Sequence, residues 1–277
     1  MTGNLYGELG GAQREVRDLG FDSANPARRY DYWRYGKDNF GPDRESGDRI
    51  AAVFPGIRAA VEENRRLLRR AVTYLAEAGA RQYLDIGAGL PSTPNVHEIA
   101  QDIDPTAHVV YVDHDPVVLA HAQALMISEP RGLVAVVEAD LRDPDGLLAD
   151  VEVRQALDFD QPVALLLFAV LHFVSDAEDP YGIVGRLLRE LPSGSYLALS
   201  HATFDPLAPA VAASLDKQNG HGTFRARTRS EVEGFLAGLE LVNPGLVSTV
   251  EWHPDRLPYP ASSPQDAIAY AAVGRVP

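Results

Sequence analysis

A chain of 277 residues, 45% of them hydrophobic, can bury one large core, while a net charge of -14 repels polyanions unless a local basic groove intervenes. It contains no cysteine, which excludes disulfides, thiolate nucleophiles and cysteine-ligated zinc, and no metal site is expected. The longest apolar stretch, PVALLLFAVLHFV at 162–174, is too short for a bilayer, and the opening residues lack the pattern of an export signal. These features point to a cytoplasmic globular enzyme with a small or cationic acceptor, not to a membrane or nucleic-acid-binding protein.

In chain order, residues 1–42 read as a lead segment and 43–277 as the main domain. RRYDYWRYGKDNF at 28–40 packs aromatics among charges without a clean period, which predicts an ordered loop or short helical turns. A helical pattern runs from Asp43 to Phe54, is interrupted by Pro55, and resumes to Gly79. Leu67, Leu68, Ala71, Val72 and Leu75 give it one apolar face, and Arg65, Arg66, Arg69 and Arg70 read as a solvated one. Near-continuous apolar runs at 81–86, 108–113, 133–140, 162–168 and 195–201 predict buried parallel strands in a βαβ series, with a helix from Pro116. A helix near 230–239 then precedes strands at 241–252 and 267–276, which would form an antiparallel hairpin at the sheet edge. Residues 41–47 and 253–264 are expected to be mobile.

The strongest local signal is YLDIGAGLP at 83–91, where an apolar strand ends in Asp85 and Gly87, Ala88 and Gly89 follow. Glycine there permits a tight turn and close approach of a nucleoside, and Asp85 can accept from a cationic amino group or water. The bland reading is a plain strand-to-helix turn. A dinucleotide fingerprint would need a third glycine where Ser92 stands, so a diphosphate cradle is disfavoured. Asp113, followed by His114, closes the second strand where an acid can take both ribose hydroxyls, and Asp115 before Pro116 reads as a helix N-cap. Asp140 can accept from an adenine amino group, with the Leu141 amide facing a ring nitrogen. FAVLHF, including Ala169, lines the floor of a crevice at the switch point of an open sheet.

These motifs, with ARRYDYWRYGKDNF, NRRLLRRAV, RQYLDIGAGLPSTPNVHEIAQ, VVYVDHDPVVLAHAQALM, ADLRDP, LPSGSYLALSHAT and LVNPGLV, resemble the class I, Rossmann-like S-adenosylmethionine methyltransferases. More narrowly they resemble an actinobacterial methyltransferase family first catalogued as a domain of unknown function. The resemblance implies a doubly wound, mostly parallel seven-stranded α/β sheet with a reversed edge strand, and S-adenosylmethionine as cofactor. It also implies that Asp85, Gly87 and Gly89 hold the methionine part, Asp113 the ribose, and Asp140 and Leu141 the adenine. Leu90 and Pro91 depart from the class where a third glycine is common.

The acceptor must be argued from chemistry. His172 and His201, after the fourth and fifth strands, are candidate bases, each weighed against a hydrogen-bonded loop residue. Tyr30, Tyr32, Trp33 and Tyr35 could close as an aromatic lid or merely anchor the segment, and Lys37 could fix a carboxylate. A methyltransferase acting on a small molecule is expected. The alternatives are a SAM-binding regulatory or scaffold protein without turnover and, behind it, a nucleotide-dependent oxidoreductase.

Overall fold

The computed structural model describes residues 19–218, 224–253 and 263–277. Its elements are α1 (Pro26–Trp33), α2 (Gly41–Val53), α3 (Ile57–Glu77), β1 (Gln82–Ile86), α4 (Val96–Ile103), β2 (His108–Asp113), α5 (Pro116–Leu125), β3 (Leu133–Glu138), α6 (Pro144–Ala149) and α7 (Val151–Ala156). They continue with β4 (Ala164–Phe168), α8 (Pro180–Glu190), β5 (Tyr196–Ala202), α9 (Pro209–Gln218), α10 (Arg229–Glu233), β6 (Glu240–Leu241), β7 (Val247–Ser248), α11 (Pro264–Ala267) and β8 (Ala269–Arg275).

All five predicted apolar runs form strands, β1 to β5, and the sheet order is β3-β2-β1-β4-β5-β8-β6. The first five are mutually parallel, and β8 runs antiparallel to β5. Alternation along the strands divides the core into two faces. Leu84, Ile86, Leu165 and Leu167 pack with α6, α7 and α8, whereas Tyr83, Val109, Leu166 and Phe168 pack beneath α3 and α4. The predicted apolar face of α3 is buried throughout, each leucine or valine contributing about 1.5–3 kcal/mol.

The strand expected across 241–252 is reduced to β6 and β7, two residues each, separated by a turn at Gly245 with φ +85°. Both pair with β8, so they share one edge position and the sheet has seven strands by position. The hairpin at the edge is present, and the reversed member, β8, stands one place in from the edge itself. Among the described residues no helix is long and apolar enough to cross a membrane.

Two expectations are corrected. Residues 41–47, expected to be mobile, form the first turns of α2, where Asp43 is fully buried. Its Oδ2 accepts from Phe40 N at 2.9 Å and from Arg28 Nε at 2.9 Å, and its Oδ1 accepts from Asn25 N at 2.8 Å. Gly47 is small because a Cβ would stand 2.8 Å from the Tyr32 ring. The arginine run on α3 is also not simply solvated. Arg70 is buried and donates to Trp252 O, Thr249 O and Glu63 Oε1, while Arg65 donates to Ser92 O and Pro94 O. The forked guanidinium supplies several donors at once to loop carbonyls. Of the other segment expected to be mobile, residues 254–262 lie outside the described residues.

Asp43 neutralises Arg28, itself buried, across the expected boundary at residue 42. Asp43→Ala leaves that charge uncompensated and is expected to cost about 3–5 kcal/mol in urea denaturation, with Arg28→Met in the same chain recovering part of the loss.

Candidate functional site

Parallel strands of one sheet end on one side, so the loops after β1, β2, β3, β4 and β5 converge. Above them lies a cavity of about 840 Å³. At one end it is lined by Gly87, Ala88, Gly89, Asp113, His114, Asp140, Leu141 and Ala169. The rest is walled by the lead segment, α2, α3 and the stretch after β5.

The turn after β1 uses its glycines differently. Gly87 has φ +75°, and a Cβ there would stand 2.5 Å from Val170. Gly89 has φ +65°, and a Cβ there would meet no heavy atom within 4 Å, so only its conformation demands glycine. Asp113 fastens this turn: Oδ2 accepts from Gly89 N at 3.0 Å and Oδ1 from Asp115 N at 3.0 Å. Asp115 caps α5 through Val117 N and Val118 N, as its place before Pro116 predicts. Its other oxygen accepts from Asn25 Nδ2, and Asn25 in turn caps α1 through Ala27 N and Arg28 N. Asn25 escaped the sequence reasoning, although Asn followed by Pro26 is itself an N-cap signal.

Asp85 lies just behind the cavity wall, and its carboxylate accepts no hydrogen bond among the described residues. Burial raises its pKa to about 7, with the Arg65 charge opposing and Asp113 reinforcing that rise. Asp140 is held by Arg142, whose backbone N–H and guanidinium both donate to it. His114 is exposed beside Asp113. Ala169, at φ +52°, donates its N–H to Ser200 O and Ser200 Oγ.

Deeper in, a chain of hydrogen bonds joins the cover to the sheet. Tyr30 Oη donates to Val61 O at 2.8 Å and accepts from Asn64 Nδ2, and Ser200 Oγ donates to Asn64 Oδ1. Tyr30 thus lines the cavity with its hydroxyl committed. Lys37 and Trp33 also line it. Tyr35 does not: its φ of +62° at the end of α1 turns it outward, 80% exposed against Arg58. Tyr32 likewise bonds Asp48 outside the cavity.

The two histidines separate. His172 lines the cavity, and burial, aided by His201 and the Arg227 and Arg29 charges, holds its pKa well below the ordinary value. His201 is absent from the wall because both nitrogens are taken, Nδ1 donating to Ala202 O at 2.8 Å and Nε2 accepting from Arg227 Nη1 at 3.0 Å. Burial lowers its pKa to about 4. It orients the buried Arg227 and has no nitrogen to offer a substrate.

A family model described as S-adenosyl methyltransferase matches residues 12–277. The chain belongs to that family. This methyltransferase is 45% identical to a DUF574 family protein from Streptomyces avermitilis, with TM-score 0.90 over 94% of this chain and all of that one. A candidate methyltransferase from Thermobifida fusca is 38% identical, with TM-score 0.84 over 96% and 99%. Human N-acetylserotonin methyltransferase, solved with S-adenosylmethionine, shares the fold alone at 16% identity, TM-score 0.50 and 84% and 57% coverage. No relative of curated function matches by sequence. The enzyme is S-adenosylmethionine-dependent, and the glycine turn fits a bound cofactor, because a Cβ at Gly89 would meet no heavy atom within 4 Å and the space there is open to the cavity.

Two measurements follow from this geometry. Gly87→Ala combines backbone strain with a clash and is expected to lose S-adenosylhomocysteine affinity by more than Gly89→Ala, which brings strain alone of about 1–3 kcal/mol; calorimetric titration of both variants decides the ranking. The folded-state pKa of Asp85 exceeds its unfolded value of 3.8, so the folded chain holds the extra proton between about pH 4 and 7. Its contribution to stability is therefore fully present below that window and is lost as pH rises through it, by at most about 1.4 kcal/mol per pH unit. Urea midpoints should show wild type losing stability relative to Asp85→Asn between pH 5 and pH 8.

Proposed function

We propose that this enzyme methylates a small-molecule acceptor held in the deep part of the cavity. The observation that carries the reading is the continuity of that cavity. One space joins the glycine turn and the acidic strand ends to a chamber walled by Trp33, Phe54, Val61 and Phe204, and at about 840 Å³ it stands at the upper end of roughly 300–1,000 Å³ for small-molecule sites. A regulatory protein that only sensed the cofactor has no use for the chamber, and a covered cavity beneath α1 and α2 suits a small molecule better than a polymer.

In this reading the backbone of Gly87, Ala88 and Gly89 lies against the methionine part, with Asp85 behind that wall on the side of its ammonium. Asp113 uses the acceptor capacity left after Gly89 and Asp115 for the ribose hydroxyls. His114 flanks the adenine, Asp140 and Leu141 read its edge, and Ala169 forms the floor. The bound cofactor supplies a methyl group on a sulfonium, already attached to a good leaving group. What remains for the chain is to align the acceptor and exclude water.

His172 has a defined part in that alignment. Its Nδ1 accepts from Ala202 N at 3.4 Å, and burial keeps the ring neutral, so the hydrogen resides on Nε2. The ring then donates a hydrogen bond into the cavity and does not remove a proton from the acceptor. Lys37 stands on the same wall near the lead segment.

Calorimetry with S-adenosylhomocysteine tests the reading. Asp113→Ala removes charge-assisted hydrogen bonds of about 1.5–3 kcal/mol, so affinity should fall about 10- to 100-fold. NADH should not bind. Failure of the wild type to bind S-adenosylhomocysteine, or competition by NADH, would overturn the assignment of the site.

A further inference from the structure

The deep chamber contains a cation that the fold does not neutralise. Arg29, on α1, lines the cavity, and burial lowers its pKa. Its Nη1 donates to Ser46 Oγ at 3.1 Å, while its Nε is buried without any partner. Among the described residues it forms no ion pair. Asp43 acts on it only through space, because its oxygens already accept from Arg28, Asn25 and Phe40. Asp31, two residues along α1, accepts from Asp38 N and Asn39 Nδ2 and so serves the turn that follows. A guanidinium whose Nε is buried without a partner is costly to keep. It is also what a site for an anion requires.

The surroundings agree. The Arg29 guanidinium lies 6.0 Å from the Trp33 ring, on a wall shared with Phe54, Phe204 and Phe224. His172, within the electrostatic reach of Arg29, presents an N–H and not a lone pair. The remaining acids of the cavity wall belong to the strand ends or to the turn after α1. Flat apolar walls beside the Arg29 guanidinium and the His172 ring describe a pocket for an aromatic ring bearing a negatively charged oxygen group.

Resting on the function proposed above, we infer that the acceptor is a small aromatic carboxylate whose charge is seated on Arg29. The net charge of -14 favours a cationic acceptor, but Arg29 places a positive charge at this point of the wall. The carboxylate supplies Arg29 with the counter-charge that Asp43 spends on Arg28. It also places the ring among the chamber aromatics, which holds the rest of the molecule toward the glycine turn.

The test uses the full chain saturated with S-adenosylhomocysteine and pairs of ligands that differ only in charge: acetate and acetamide, benzoate and benzamide, salicylate and salicylamide, indole-3-acetate and its amide. Calorimetry should find at least one aromatic carboxylate binding about tenfold or more tightly than its amide. Arg29→Met should abolish that preference with S-adenosylhomocysteine affinity unchanged, which also reports an intact fold, and Arg29→Lys should retain part of it. If no carboxylate in the series exceeds its amide, or if the preference survives in Arg29→Met, the inference is overturned. A wild type that binds the carboxylates but not S-adenosylhomocysteine would instead remove the cofactor reading and leave the anion pocket standing alone.

Discussion

A sheet covered on both faces allows polar chemistry only where its strands stop. Every residue of β1 and β4 is buried, and helices lie above and below them. An unsatisfied polar group within such a strand costs several times what a hydrogen bond returns, so the functional groups collect at the carboxyl ends. Gln82 is buried in β1 because both ends of its amide bond the backbone around Asp158. Asp85 has no such partner, and the environment answers by favouring its neutral form. The placement of the whole site descends from this restriction, including the convergence of turns that Asp113 and Ser200 fasten from below.

The cover is built by a different kind of interaction. Segment 19–40 has no periodic apolar face, and what orders it is a buried ion pair with a set of caps. Arg28 reaches back to Leu19 O, Gly20 O and Ser23 O while it pairs with Asp43, so one side chain folds the segment on itself and binds it to α2. Trp33, Ile50, Phe54, Val61, Leu215 and Ile268 then close as a third, smaller core between α1, α2, α3 and α9. Asn25 connects this unit to the strand ends by capping α1 and bonding the acid that caps α5.

The parallel strands were legible because burial on both faces writes itself as continuous apolar sequence, and Asp115 because a cap before proline has a fixed local grammar. Other features depend on residues distant in the chain. Nothing in SYLALSH distinguishes His201 from His172; the difference arises because Arg227 returns to occupy one imidazole and not the other. LVNPGLVSTVEW has the composition of a strand, yet only Leu241 and Val247–Ser248 enter the ladder, since the turn at Gly245 interrupts it. Tyr35 reads like its aromatic neighbours until the backbone at the end of α1 reverses its direction. The short helices α6 and α7 carry too few turns for a clear period. Arg29 sits in a run where its neighbour Arg28 has nearly the same local sequence and the opposite situation, paired and satisfied.

The end of the cavity proposed for the cofactor is made by turns of the sheet, whereas the chamber is made mostly by α1, α2, the start of α3 and the stretch after β5. These two parts are joined by Asn25 with Asp115, Asn64 with Ser200, and Arg34 and Arg65 with the loop at Ser92. Such a division separates two evolutionary problems. Side chains such as Ile50, Phe54 and Leu215 can be exchanged to reshape the chamber without disturbing the glycine turn, so a lineage can diversify what it methylates while the donor half stays constant. The joints impose the limit on that freedom: Asn25 and Asn64 are shared by both halves, and a drifting chamber has to keep them.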